Sequence, residues 1–286
     1  MQLTFTAEGR SWPIRLGGNA TRTRAALLRS LPLRLQLHTP KIAGSHIYWH
    51  APFVEDVEGA THVLDAQAGA FIYWPVRQFL EITFAPLQAE NAQITVLGHL
   101  DAPVEGIAEL AAVLKREQGH RIIEGTLALA EDAEPQAIAP SPSLLPDDLT
   151  KRRSVLWDGM PVDIARLTAS RAIMHPVGPI FAAEAEARVL HELLWWIRAG
   201  LSHYDEAVLR QTMAIMLDKT ATRLRDFCHM DDTPALLFAL RDATQDTMPL
   251  AALVDEAILV AGRIGAWLDL LIPWNELNEA FRAALD

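Results

Sequence analysis

The chain has 286 residues, half of them hydrophobic and 21% charged, with a net charge of −11 and one cysteine. That is the profile of a globular protein long enough for two domains, and one cysteine excludes an intrachain disulfide and fits a reducing cytoplasm. No segment forms a dense basic stripe, so nucleic-acid binding has no electrostatic source.

The N-terminal MQLTFTAEGR lacks the basic-then-apolar order of a signal peptide. LTFTAEGRSWPIRL reads as two short strands around Gly9, a hairpin. NATRTRAALLRSLP reads as a helix, with Asn19 or Thr21 as N-cap and Leu27, Leu28 and Leu31 on one face. Gly17-Gly18 precedes it, but LGGNAT lacks the third glycine of a dinucleotide fingerprint, so it reads as a tight turn. LRLQLHT, SHIYWHAP, AFIYWP and FLEITFA are strand-like. Several are apolar at both parities, which predicts burial on both faces. VEGIAELAAVLKREQG reads as a helix and HRIIEGTLAL as a last strand. Many short strands with two helices predict a small β-barrel over residues 1–130.

Four prolines (135, 140, 142 and 146) then forbid a regular helix and place a linker at 131–162, with KRR at 151–153 as an exposed triplet. From 163 to 286 the period is helical. Leu190, Leu194 and Ile197 share one face, with Val189, Leu193 and Trp196 beside them. A second helix from Asp205 aligns Leu209, Met213, Met216, Leu217, Leu224 and Phe227, and a third runs from Leu250. The late stretch LAALVDEAILVAGRIGAWLDLLIPW is interrupted by Asp255, Glu256, Arg263 and Asp269, so no membrane span is expected. The fold class is therefore α+β: an N-terminal β-barrel followed by a C-terminal α-helical bundle, which covers the barrel's site or makes a homo-oligomer.

HELLW at 191–195 has the start of a zinc-protease helix, but Trp195 stands where the second histidine is needed. His191 and Glu192 are expected on the helix surface or at the domain contact. The lone Cys228 beside His229 has no thiolate partners for a metal. The reactive letters gather instead in PKIAGSHIYWHAP, residues 40–52. If 45–51 is extended, Ser45, Ile47, Trp49 and Ala51 face one way and His46, Tyr48 and His50 the other. Two histidines four apart on a strand are separated by roughly 13 Å, too far to share a metal. Two readings remain: a row of proton-transfer groups with Lys41 just upstream, or a barrel wall whose Tyr and His tips reach water.

The segments TRTRAALLRSLPLRL, SHIYWHAP, AGAFIYWPVRQFLEITFAP and NAQITVLGHL resemble the bacterial cyclophilin-like barrel family over about a third of the chain. The family's Y-W-P turn is Tyr73-Trp74-Pro75 here, the next strand ends Phe84-Ala85-Pro86, and the closing strand is Leu97-Gly98-His99-Leu100. His99 stands where many relatives have arginine, and Glu81 where the position is usually small or apolar. The catalytic arginine strand and the Q-G-G-D-type turn of true cyclophilins are missing, so prolyl isomerase activity is not expected.

A barrel of this kind followed by a helical bundle is similar to the cucumopine synthase type of enzyme, which condenses L-histidine with 2-oxoglutarate and closes a ring in a Pictet–Spengler-type reaction. The resemblance implies small-molecule substrates, an amino acid and a 2-oxo acid, with no cofactor and no metal. It implies Lys41 as carboxylate anchor or acid, His50 and His99 as proton carriers near neutral pH, and Tyr48 as a hydrogen-bond donor. Arg77 would bind a carboxylate bidentately, Glu81 would hold the amine or orient a histidine, and His46 and Tyr73 would complete the substrate-binding set. The alternatives are a non-catalytic barrel that binds a small anion, and a lyase or hydrolase on the same scaffold.

Overall fold

The computed structural model describes residues 1–41, 44–87, 91–130, 146–169 and 177–285. The described residues fall into two compact units. One holds all the strands, the first two helices and the C-terminal helix, and the other holds the helices between.

The first unit begins with the expected hairpin, β1 (Gln2–Ala7) and β2 (Arg10–Leu16), followed by helix α1 (Thr21–Ser30). Strands β3 (Leu33–Gln36), β4 (His46–His50), β5 (Thr61–His62), β6 (Ala70–Trp74), β7 (Phe79–Thr83) and β8 (Gln93–Leu100) come next. Helix α2 (Glu105–Glu117) and strand β9 (Glu124–Leu129) complete the set. The antiparallel sheet runs β3-β9-β1-β2-β8-β6-β7-β4, with β5 paired to β8. Its two ends meet at one bridge, where His38 N–H donates to Tyr48 O at 2.8 Å and Tyr48 N–H donates to His38 O at 3.1 Å. The barrel is thus nearly closed.

Alternation along each strand fills it. Leu3, Phe5, Ile14, Leu35, Ile47, Trp49, Phe71, Tyr73, Leu80, Ile82, Leu97 and Leu127 form the interior, joined by Leu27 of α1 and Leu110 of α2. A smaller cluster on the outer side of β6 and β8 includes Ala70, Ile72, Trp74 and Ile94. All of β6 is buried, which explains why its sequence is apolar at both parities. Gly98 is required where β2 and β8 approach closely, since a Cβ there would lie 2.2 Å from Arg15 O.

Neither Asn19 nor Thr21 caps α1; the N-cap position is Ala20, which has no side-chain oxygen to offer. Glu58 takes the role from a distant loop, accepting Arg22 N–H at 3.2 Å, Thr23 N–H at 2.7 Å and the Thr23 hydroxyl at 2.8 Å. Burial alone would raise its carboxyl, but the bonds from Thr23 and then Arg22 outweigh it and bring the pKa down to about 2.

The second unit contains α3 (Asp147–Asp158), α4 (Val162–Ala169), α5 (Val177–Gly200), α6 (Glu206–Asp226), α7 (Asp232–Ala243) and α8 (Leu250–Leu270). The expected linker at 131–162 differs from this. Residues 131–145 lie outside those described, while α3 occupies 147–158, directly after Pro146. The expected exposed triplet KRR is likewise corrected at Arg153, which is 2% exposed and ion-paired with buried Glu256 of α8. Beside this pair, Arg263 lies 4.1 Å from the Trp267 ring and 5.1 Å from that of Trp157, and Trp267 donates to Leu156 O at 2.8 Å. A segment read as linker is therefore anchored by its arginine and tryptophan.

His191 is not on the open helix surface, the first of its two expected places. It is buried, and Trp195, in the place of the missing zinc ligand, donates to its Nε2 at 3.3 Å. On α5, Leu190, Leu194 and Ile197 are buried as expected, whereas Val189, Leu193 and Trp196 remain exposed. The remaining helix, α9 (Trp274–Leu285), belongs with the barrel rather than with the expected bundle at 163–286. No single described helix is long and apolar enough to cross a membrane.

Two stability predictions follow from these contacts. Glu58→Ala removes a charged cap and lowers barrel stability by about 1–2 kcal/mol in urea denaturation. Because the folded Glu58 carboxyl titrates below its unfolded value of 4.5, this contribution is present above pH 4.5 and fades as pH falls toward about 2. An equal loss at every pH would refute the cap. Glu256→Ala removes the carboxylate paired with a buried guanidinium and costs about 3–5 kcal/mol, while the paired change Arg153→Met with Glu256→Leu recovers most of it. A single-variant loss below about 1 kcal/mol would show that the pair contributes little.

Candidate active site

The same alternation that sends Ile47 and Trp49 into the barrel sends His46, Tyr48 and His50 to its outer face. Strand β7 completes that face, since His46 pairs with Thr83, Tyr48 with Glu81 and His50 with Phe79. Directly paired residues of antiparallel strands share a face, so Glu81 stands beside Tyr48. His38 joins them through the bridge that closes the barrel, its ring stacked on Tyr48 at 4.9 Å. Phe79 stacks on Tyr48 at 4.0 Å, and His50 sets its edge against both His38 (5.7 Å) and Phe79 (4.9 Å).

The register of this patch is fixed by Gln78, a left-handed residue in the turn between β6 and β7. Its side-chain amide donates to Ala51 O at 2.6 Å, and its carbonyl accepts Ala51 N–H at 2.8 Å. The ends of β4 and β7 are held together, and His50 stays opposite Phe79.

Although this is an outer face, its groups are withdrawn from water. Glu81 is 0% exposed, His38 1% and Tyr48 5%. A carboxylate at full burial is rare and expensive, so its position needs a reason beyond packing. His46 Nε2 lies 3.8 Å from Glu81 Oε2. Burial first, and the charge of Lys115 second, push the His46 imidazole down to about 4, so it is neutral at physiological pH. On its other side the ring rests against Gly44, where an added Cβ would lie 2.8 Å from His46 Cε1 and 2.8 Å from the Pro40 ring. Only glycine fits between them.

The other expected site residues are distributed as follows. Lys41 lies at the His46 end of the row, its ammonium 4.5 Å from the Trp274 ring centroid. Arg77, half-buried, occupies the turn before β7, at the opposite end of the row. Tyr73 faces the barrel interior, where it packs against Phe53 and its hydroxyl accepts Glu55 N–H at 3.1 Å. His99 sits on β8, which neighbours β2, β5 and β6 rather than β4. Three strand spacings put it roughly 14 Å from β4. His99 is exposed and lines a separate cavity of about 270 Å³ with Gly18, Asn19, Glu58 and Thr61. The structure therefore gathers His46, Tyr48, His50 and Glu81, with Lys41 and Arg77 on the elements at either end, and leaves Tyr73 and His99 elsewhere.

His38 and Phe79 were not singled out from the sequence. For His38 the signal is present: in LRLQLHT the leucines 33, 35 and 37 alternate with Arg34, Gln36 and His38, so parity alone puts His38 outside.

No family model matches the chain, and no curated protein matches it. Among solved structures, McbB in complex with tryptophan matches with a TM-score of 0.79, covering 98% of this chain and 99% of that one at 14% identity. The two chains share a fold over their whole length. A solution structure of the hypothetical protein AF2241 from Archaeoglobus fulgidus covers 46% of this chain with a TM-score of 0.34 and carries no argument.

The burial of His46 is directly testable. Its folded pKa lies below the unfolded value of 6.5, so its contribution to stability is complete above pH 6.5 and lost as pH falls through about 4. The His46 Cε1 proton should show no NMR titration step near 6.5 and should begin to move only toward pH 4. A midpoint near 6.5 would mean that the ring is solvated.

Proposed function

We propose that this chain is a cytoplasmic, cucumopine synthase-like condensing enzyme on a cyclophilin-like barrel. It joins an amino acid, L-histidine as the first candidate, to a 2-oxo acid such as 2-oxoglutarate, with Pictet–Spengler-type ring closure. The observation that carries this reading is the fully buried carboxylate of Glu81 between Tyr48 and His46, on a face that also holds His38 and His50. The full-length fold match to a protein holding tryptophan supports an amino acid with an aromatic ring as substrate.

The reaction is a sequence of proton transfers. The amine adds to the ketone, the carbinolamine is protonated and loses water, and the imidazole ring carbon attacks the resulting iminium carbon. A base then removes the proton from that ring carbon, and aromaticity returns. Atoms balance as the two substrates minus one water, and no electron pair leaves or enters, so the chemistry calls for no redox cofactor. Glu81, beside Tyr48 and 3.8 Å from His46, takes the ring proton. Tyr48, beside it, donates a hydrogen bond to the departing hydroxyl, and His50 returns the proton that expels water. Lys41 and Arg77 stand on elements at the two ends of a row about 13 Å long and receive the substrate carboxylates. His99 has no part in this scheme. The helical unit, with its exposed Val189, Leu193 and Trp196, is where a homo-oligomer would form.

The test is to incubate the protein with 2-oxoglutarate and either L-histidine or L-tryptophan and seek the mass of the pair minus one water. Glu81→Gln should lower kcat by about 10²–10⁴-fold with little change in melting temperature. Turnover within a few-fold of wild type would remove Glu81 from the chemistry. Binding of either compound with no product from either amine would favour the anion-binding reading.

A further inference from the structure

Helix α9 contains no buried residue, yet its first turns make a dense set of polar contacts with the barrel unit. Asn275 Nδ2 donates to Gln118 Oε1 at 2.9 Å and to Lys115 O at 3.4 Å, at the C-terminal end of α2. Glu276 pairs with His120 at 2.7 Å. The chain enters this helix at Pro273, against Gly119, where a Cβ would lie 2.7 Å from the proline ring. One turn of the helix further on, Asn278 Nδ2 donates to the backbone carbonyl of Lys41 at 2.8 Å. Trp274 meanwhile lies under the Lys41 ammonium, 4.5 Å from nitrogen to ring centroid.

Two side chains of one helix, four residues apart and therefore on one face, thus grip one lysine at both its backbone and its tip. The grip is weak by construction. A half-buried cation–π contact and an exposed hydrogen bond each add little to stability, so burial does not explain the arrangement. Location does. Lys41 follows Pro40, whose ring meets the His46 ring across Gly44, so the gripped residue adjoins the first member of the buried row.

We infer that α9 is a clasp whose Trp274 and Asn278 are positioning residues for Lys41, fixing its ammonium at the His46 end of the row as the receptor for a substrate carboxylate. The carboxylate part rests on the proposed function; the clasp itself does not. An ammonium already held over a ring face loses less side-chain entropy on binding than a lysine free to rotate.

The chain's lysine content makes the test direct. It has four lysines, Lys41, Lys115, Lys151 and Lys219, so each is resolved by mass spectrometry after trace acetylation of the full chain. With exposed Lys151 as internal reference, Lys41 in the wild type should react at least about three-fold more slowly. Trp274→Leu and Asn278→Ala should each bring its rate toward that of Lys151, and Trp274→Phe should retain most of the protection. Unchanged Lys41 reactivity in both variants would overturn the clasp. Adding 2-oxoglutarate reads the other half: further protection of Lys41 in the wild type, weakened in Trp274→Leu, supports the carboxylate role. If the variants expose Lys41 but 2-oxoglutarate never protects it, the clasp stands and the assignment of Lys41 to a carboxylate falls.

Discussion

The two hydrogen bonds between His38 and Tyr48 are the constraint on which the rest of the barrel unit depends. They are the bridge by which β4 meets the end of β3, and so they close a sheet that would otherwise present two open edges. They also set parity. A slip of one residue at this bridge would turn Ile47 and Trp49 to the outside and drive His46, Tyr48 and His50 into a largely apolar interior. Closing the barrel and building the His–Tyr–Glu face are therefore one event. The ring of His38 stacks on Tyr48 because their backbones are bonded to each other, not because either ring was separately placed.

Given that register, the burial of Glu81 becomes a matter of neighbours. On the outer face it stands between Tyr48 on β4 and Ile72 on β6, and Ile72 belongs to the apolar cluster on that side of the sheet. One flank is hydrocarbon and the other is a ring system. Such surroundings make a buried carboxylate costly to hold, which is why it needs polar neighbours. His46 limits the cost. It is neutral and confined between Gly44 and Glu81, so it offers a dipole at 3.8 Å.

What was legible in the sequence, and what was not, follows from the range of each interaction. Strand parity is local, so the outward set His46, Tyr48 and His50 could be read from five residues. Strand neighbours are not local. The closing strand that ends at His99 is remote from β4 because β6 and β7 lie between them, while Glu81 and His38 arrive through pairings that no periodicity announces. Tyr73 belongs to a turn motif, yet its parity matches Phe71, and both lie in the interior. Charge patterns misled in the same way. KRR reads as solvated until Glu256, more than 100 residues later in the chain, is brought to Arg153. The apolar letters of α5 form a wider stripe than the one that is buried, because packing uses Leu190, Leu194 and Ile197 and leaves Trp196 outside.

The C-terminal helix makes the same point in the other direction. Its composition suggests another member of a bundle, but it packs no residue into any core and instead spends its polar side chains on the end of α2 and on Lys41. A helix held only by surface contacts opens more readily than one held by burial, since local stability tracks buried apolar area. If the chemistry has to admit two substrates and release one product, a weakly held element beside the row suits that traffic better than a strand of the closed barrel. The rigid part of the molecule, β4 against β7, carries the row of His46, Tyr48, His50 and Glu81, and the loosely held α9 only touches the lysine at its end.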